Sequence, residues 1–150
     1  MKGLIALTVL AVGLLPTLAS AGTASTVTLK TTMSGGVEVP KGSPTGKGTA
    51  TITITGSKVC WKFTYSGIDK PLASHIHKAP AGKAGAIVVP FGGAFKPSGC
   101  TSTTAAIAKA ILASPSSYYV NVHTAKFPGG AVRGQLGKGS SSSSSKGGGY

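Results

Sequence analysis

The sequence predicts an all-β fold: a sandwich or barrel of short antiparallel strands with one short helix and one disulfide. Three observations predict it. Strict apolar/polar alternation recurs along the chain, most clearly in Thr49–Thr55. Gly-, Pro- and Ser-rich turn signals separate the alternating stretches. A single alanine-rich segment departs from the period of two.

The N-terminus comes first. Lys2, an apolar run from Gly3 to Leu15, a break at Pro16 and the small-x-small site Ala19-Ser20-Ala21 read as a secretory signal peptide over 1–21. The run is too short to span a bilayer. Cleavage there leaves a domain over 22–137 and a Ser/Gly/Lys tail over 138–150, which has no apolar periodicity and is expected to be disordered. The product is then periplasmic or secreted, with no transmembrane segment.

Within the domain, Val27-Thr28-Leu29 starts the strands. Ala50, Ile52 and Ile54 share one face of the next, with threonines opposite. Gly56-Ser57-Lys58 turns the chain into a partner strand carrying Val59, Trp61, Phe63 and Tyr65, all expected in the core. Ala86–Val89, Tyr118–His123 and Ala131–Leu136 are further strands. Tyr118 and Tyr119 offer an exposed stacking surface, although one must face inward. Thr104–Ala113, with Ile107 and Ile111 four apart and Pro115 beyond, reads as a helix capped by Thr103 or Thr104. Cys60 and Cys100 are the only cysteines, so in an oxidising compartment they form the disulfide.

Charge narrows the chemistry. Fifteen basic residues face two acids, Glu38 and Asp69, for a net charge of +13. A glycosidase-type acid pair can be built only if these two meet, and calcium or magnesium cages and two-metal phosphoryl-transfer sites need more carboxylates. Asp69, the only aspartate, suits a turn, and no nucleophile motif accompanies it, so a Ser-His-Asp set is also excluded. The lysines are scattered and Arg133 is the only arginine. That argues against a nucleic-acid partner and for an anionic cell-surface or extracellular polymer. With so few carboxylates to protonate, little pairing is lost in acid. Glu38 and Arg133 are candidates for a structural ion pair.

Concentrated chemistry remains only at the histidines. His75 and His77 flank Ile76, so in a strand both imidazoles leave the core on one side, about 6.6 Å apart. His123 shares a strand face with Tyr119 and Asn121. If the two strands are neighbours, three imidazoles converge, a set that suits copper or an open zinc site. A structural zinc site needs a fourth ligand, and neither the cysteines nor the carboxylates can spare one. Copper is therefore favoured over zinc. Metal–nitrogen bonds near 2 Å require ring nitrogens within about 4 Å of one another.

Ordered blocks carry a resemblance. They are Gly35-Gly36-Val37-Glu38-Val39-Pro40, Gly46–Ala50, Ala73-Ser74-His75-Ile76-His77, Gly82-Lys83-Ala84-Gly85, Tyr119–Thr124 and Phe127–Leu136. Together they resemble the CHRD domain, named after chordin and also found as single-domain exported bacterial proteins. The resemblance implies an all-β fold and no settled activity. Ala131 stands where that family usually has an acid. A fainter similarity is to copper-zinc superoxide dismutases, which implies a Greek-key β-sandwich of the immunoglobulin or dismutase type. His75, His77 and His123 would match copper ligands there, and Arg133 the anion-guiding arginine. The bridging histidine and the zinc aspartate have no counterpart.

Three functions are therefore expected, in this order. The first is an exported CHRD-domain protein that binds copper through three histidines, with no catalytic residue assigned. The second is a non-enzymatic envelope or matrix protein that binds anionic polymer through its lysines. The third is a dismutase-like redox enzyme.

Overall fold

The computed structural model describes residues 25–138. The signal peptide expected over 1–21 and the tail beyond Lys138 lie outside the described residues. Nine strands form one antiparallel sheet that curls over a single core. They are β1 (Thr26–Ser34), β2 (Lys47–Thr55), β3 (Lys58–Ser66), β4 (Pro71–Lys78), β5 (Ala86–Pro90), β6 (Ser98–Ser102), β7 (Tyr118–Thr124), β8 (Val132–Gln135) and β9 (Gly137–Lys138). Spatial order is β5-β4-β7-β8-β1-β2-β3-β6, with β9 on β1. Three consecutive strands, β1 to β3, thus lie side by side, and β8 returns after a long excursion to flank β1, which is Greek-key order.

Alternation explains the first three strands. Leu29, Met33, Ala50, Ile52, Ile54, Val59, Trp61 and Phe63 are buried, while Thr28, Thr32, Thr49, Thr51, Thr53 and Thr64 lie on the opposite face. Gly56, at φ 59°, begins a two-residue hairpin loop, a conformation glycine adopts without steric cost. Tyr65 corrects an expectation. At the end of β3 it is 40% exposed and meets Phe95 edge-on rather than entering the core.

The β5–β6 stretch nearly closes the sheet. Its first half pairs with β4 and its second with β3. Between them Phe95 N–H donates to Leu72 O, and Phe63 N–H donates to Pro97 O. The Phe91 ring stacks on Trp61 at 4.3 Å, and Trp61 Nε1 donates to Lys96 O. Sequence patterning does not reveal β6, because Ser98-Gly99-Cys100-Thr101-Ser102 carries no apolar alternation. Its place is set by Cys60, directly opposite Cys100 and bonded to it, and by Gly99, where a Cβ would strike the Trp61 ring.

The helix α1 spans Ala105–Ala113, with Thr104 Oγ1 accepting from Ile107 N–H at 3.2 Å as its cap. Ala108 and Ile111 enter the core. Among the described residues no helix is long and apolar enough to cross a membrane.

Strand β7 departs most from the expected half-buried pattern: every residue but His123 is buried. Tyr118, Val120 and Val122 face the core. Tyr119, Asn121 and His123 face the other way, yet loops cover them. The predicted exposed tyrosine surface does not exist, since Tyr118 and Tyr119 are both buried.

Candidate metal centre

Strands β4 and β7 are neighbours, with His75 opposite Asn121, His77 opposite Tyr119 and His123 opposite Ala73. On antiparallel strands this register puts the three histidines on one face. A bulge between Ile76 and His77 locally shifts the pairing of β4 with β5. One ligand nitrogen from each histidine lies within 4.8 Å of the others. His75 Nδ1 and His123 Nε2 are 3.1 Å apart. The outer limit slightly exceeds the about 4 Å that bonds near 2 Å allow, so the rings must draw together by roughly 1 Å around an ion.

Backbone carbonyls set the tautomers. A carbonyl oxygen only accepts, so His77 Nδ1 must donate to Gly85 O, at 2.9 Å, and His123 Nδ1 to Pro128 O, at 2.9 Å. That leaves the lone pair of neutral His77 and His123 on Nε2. His77 Nε2 is buried and has no hydrogen-bond partner. Metal-binding histidines are commonly oriented in this way, by an outer hydrogen bond from the second nitrogen. Gly85 is constrained to glycine here, because a Cβ would meet the Lys78 carbonyl. Its N–H donates to Tyr119 Oη at 3.3 Å, and the Tyr119 ring lies parallel to the His77 ring at 4.8 Å.

The site favours neutral imidazoles. Burial, reinforced by His123 and then His77, pushes His75 down to about 4. Burial also lowers His123, helped by His77 and opposed by the Pro128 carbonyl. Glu38 moves the other way: burial raises it to about 7, against the opposing pull of Arg133, the Val39 N–H and Asn121.

These shifts oppose each other in the pH dependence of folding. Between about pH 4 and 6.5 the unfolded chain binds protons on His75 that the folded chain does not, so this histidine makes stability fall as pH falls. Between 4.5 and about 7 the folded chain binds a proton on Glu38 that the unfolded chain does not, so stability falls as pH rises. Glu38→Gln removes the second contribution. Urea midpoints of this variant should drop more steeply from pH 7 to pH 4 than those of the unaltered protein. Parallel curves would show that the opposition is absent. The scarcity of carboxylates alone suggested acid tolerance; the histidine cluster works against it.

Arg133 and Glu38 lie beside this cluster. Arg133 Nε is 3.9 Å from Glu38 Oε2, and both side chains are almost fully buried. Among the described residues this is the single ion pair. Arg133 also donates from Nε to Val37 O and from Nη1 to Lys83 O, and its guanidinium lies 4.4 Å from the Tyr119 ring centre. Enclosed in this way, it is not placed to guide an anion from solvent, as the dismutase similarity implied.

Sequence reasoning did not identify the Gly85 and Pro128 carbonyls, the Tyr119 stacking or the contacts of Asn121. A signal was present, because Gly82–Gly85 and Phe127–Gly130 are among the blocks that carry the family resemblance.

No curated protein matches the chain, and no solved structure does. A family model, that of the CHRD domain, matches residues 29–136, from the first buried leucine of β1 through β8 and including the histidine face, so the chain belongs to the CHRD domain family.

Proposed function

We propose that this is an exported CHRD-domain protein that holds one metal ion, copper in preference to zinc, on His75, His77 and His123. One observation carries the reading: His77 Nε2 is buried without a partner while its Nδ1 is tied to Gly85 O. An unpartnered buried acceptor costs free energy, and a cation shared with two neighbouring imidazoles would satisfy it. Three neutral nitrogens favour Cu(II) over Zn(II) by the general order of divalent affinities. The disulfide and the family support export. No reaction is assigned.

Titration of the cleaved protein with Cu(II), beside His77→Ala, tests this reading. One equivalent should bind the unaltered protein, and the variant should bind more weakly by at least about 100-fold, the upper end of what a merely orienting partner carries. At 100 times the dissociation constant the ion should add about 2.7 kcal/mol of stability. Equal weak binding by both proteins would end the reading.

A second reading has its own observation. Among the described residues Asp69 is the only exposed acid, and no lysine forms an ion pair. Lys30, Lys47, Lys58 and Lys62 share the outer threonine face of β1 to β3. This favours weak binding to an anionic polymer. Retention on heparin should fall steeply with salt; retention that is indifferent to salt would exclude it.

A further inference from the structure

Asn121 is 1% exposed and sits on the histidine face of β7. Its Oδ1 lies 3.0 Å from His123 Nε2. His123 Nδ1 gives its hydrogen to Pro128 O, so Nε2 of the neutral ring has only a lone pair. An amide oxygen has no hydrogen to give either. Two electron-rich atoms therefore face each other at hydrogen-bond distance inside the protein. His75 Nδ1 approaches the same Nε2 from 3.1 Å.

The buried Glu38 carboxyl lies near the other side of the amide, with Arg133 Nε 3.9 Å from its Oε2. A cation between Oδ1 and Nε2 turns the poor contact into two bonds.

We propose that Asn121 Oδ1 is a fourth ligand of the ion held by His75, His77 and His123. The inference rests on the three-histidine reading and adds an oxygen to it, giving a set of three nitrogens and one neutral oxygen. The competing arrangement has a reversed amide, with its NH2 on Nε2 and its oxygen taking a hydrogen from a protonated Glu38. That arrangement needs no ion at Asn121.

The test uses Cu(II) as probe, with affinity read by competition, the copper environment by electron paramagnetic resonance, and apo folding by thermal melting. Asn121→Ala should lose about 10–100-fold in affinity and change the spectrum. Asn121→Asp keeps an oxygen and the shape, so it should recover binding with a third, distinct spectrum. It also decides the matter if the alanine variant fails to fold. Unchanged affinity and spectrum in Asn121→Ala and Asn121→Asp, with binding still lost in His77→Ala, would overturn the oxygen ligand and leave the three histidines standing. Equal binding by His77→Ala and the unaltered protein would overturn both.

Discussion

Replacing Arg133 by methionine should destabilise the fold by about 3–5 kcal/mol, the range for breaking a buried ion pair from one side. Arg133 is 2% exposed. Its loss strips hydrogen-bond donors from the carbonyls of Val37 and Lys83 and leaves Glu38 without its countercharge. Urea unfolding reads the change directly. The deficit should depend on pH in a definite direction. Burial already lifts Glu38 to about 7 with Arg133 present, so without it the folded-state carboxyl holds its proton to still higher pH. The unfolded chain gives up that proton at an ordinary carboxylate pKa. The folded state therefore binds more protons across a wider range, and the variant's deficit should be larger at pH 8 than at pH 5. Adding Glu38→Leu should recover part of the loss, and the double-mutant cycle gives the coupling. A deficit below about 1 kcal/mol at every pH would mean that the ring of backbone carbonyls, and not the arginine, holds this region.

The second large effect concerns the disulfide. Cys60 and Cys100 are 40 residues apart in sequence. Closing a loop of that length restricts the unfolded chain by an amount worth about 4 kcal/mol in the chain-entropy account. Exchanging both cysteines for serine should lower the stability by about this much. It should also raise the denaturant slope, because the unlinked chain exposes more surface on unfolding. The stacking of Trp61 on Phe91 and the Trp61-to-Lys96 hydrogen bond do not involve the disulfide and should persist in the folded state of that variant. A loss well under 1 kcal/mol would show that the cross-link barely constrains the unfolded ensemble.

Much of this architecture was legible in the sequence, for physical reasons. Where a strand has one wet and one dry face, alternation marks it. Ala50, Ile52 and Ile54 lie on the core face of β2 as expected. The helix followed from its alanines and its threonine cap. Patterning is silent where a strand has no apolar face, as in β6, and it understates burial where both faces are covered, as in β7. The convergence of His75 and His77 with His123 could be stated only conditionally, because no spacing rule makes β4 and β7 neighbours. Tautomers were beyond reach, since they depend on the carbonyls of Gly85 and Pro128, in loops that directly follow the histidine strands and whose course the pattern does not give. The close approach of Asn121 to His123 was hidden for another reason. Period two places both on one face, but it does not give the direction in which the amide points.

Both rims of the sheet come from a single stretch of chain, since β5 and β6 are its outermost strands and follow one another in sequence. Each rim is five residues long, β5 ends on Pro90, and Pro97 stands just before β6. Short, proline-bounded rims are poor templates for recruiting other chains. Behind them lie β3 and β4, nine and eight residues long, whose backbone groups would be effective templates if uncovered. The Cys60–Cys100 link fastens one end of that covering stretch. Reduction therefore does more than loosen the fold: it unlatches a guard against self-assembly.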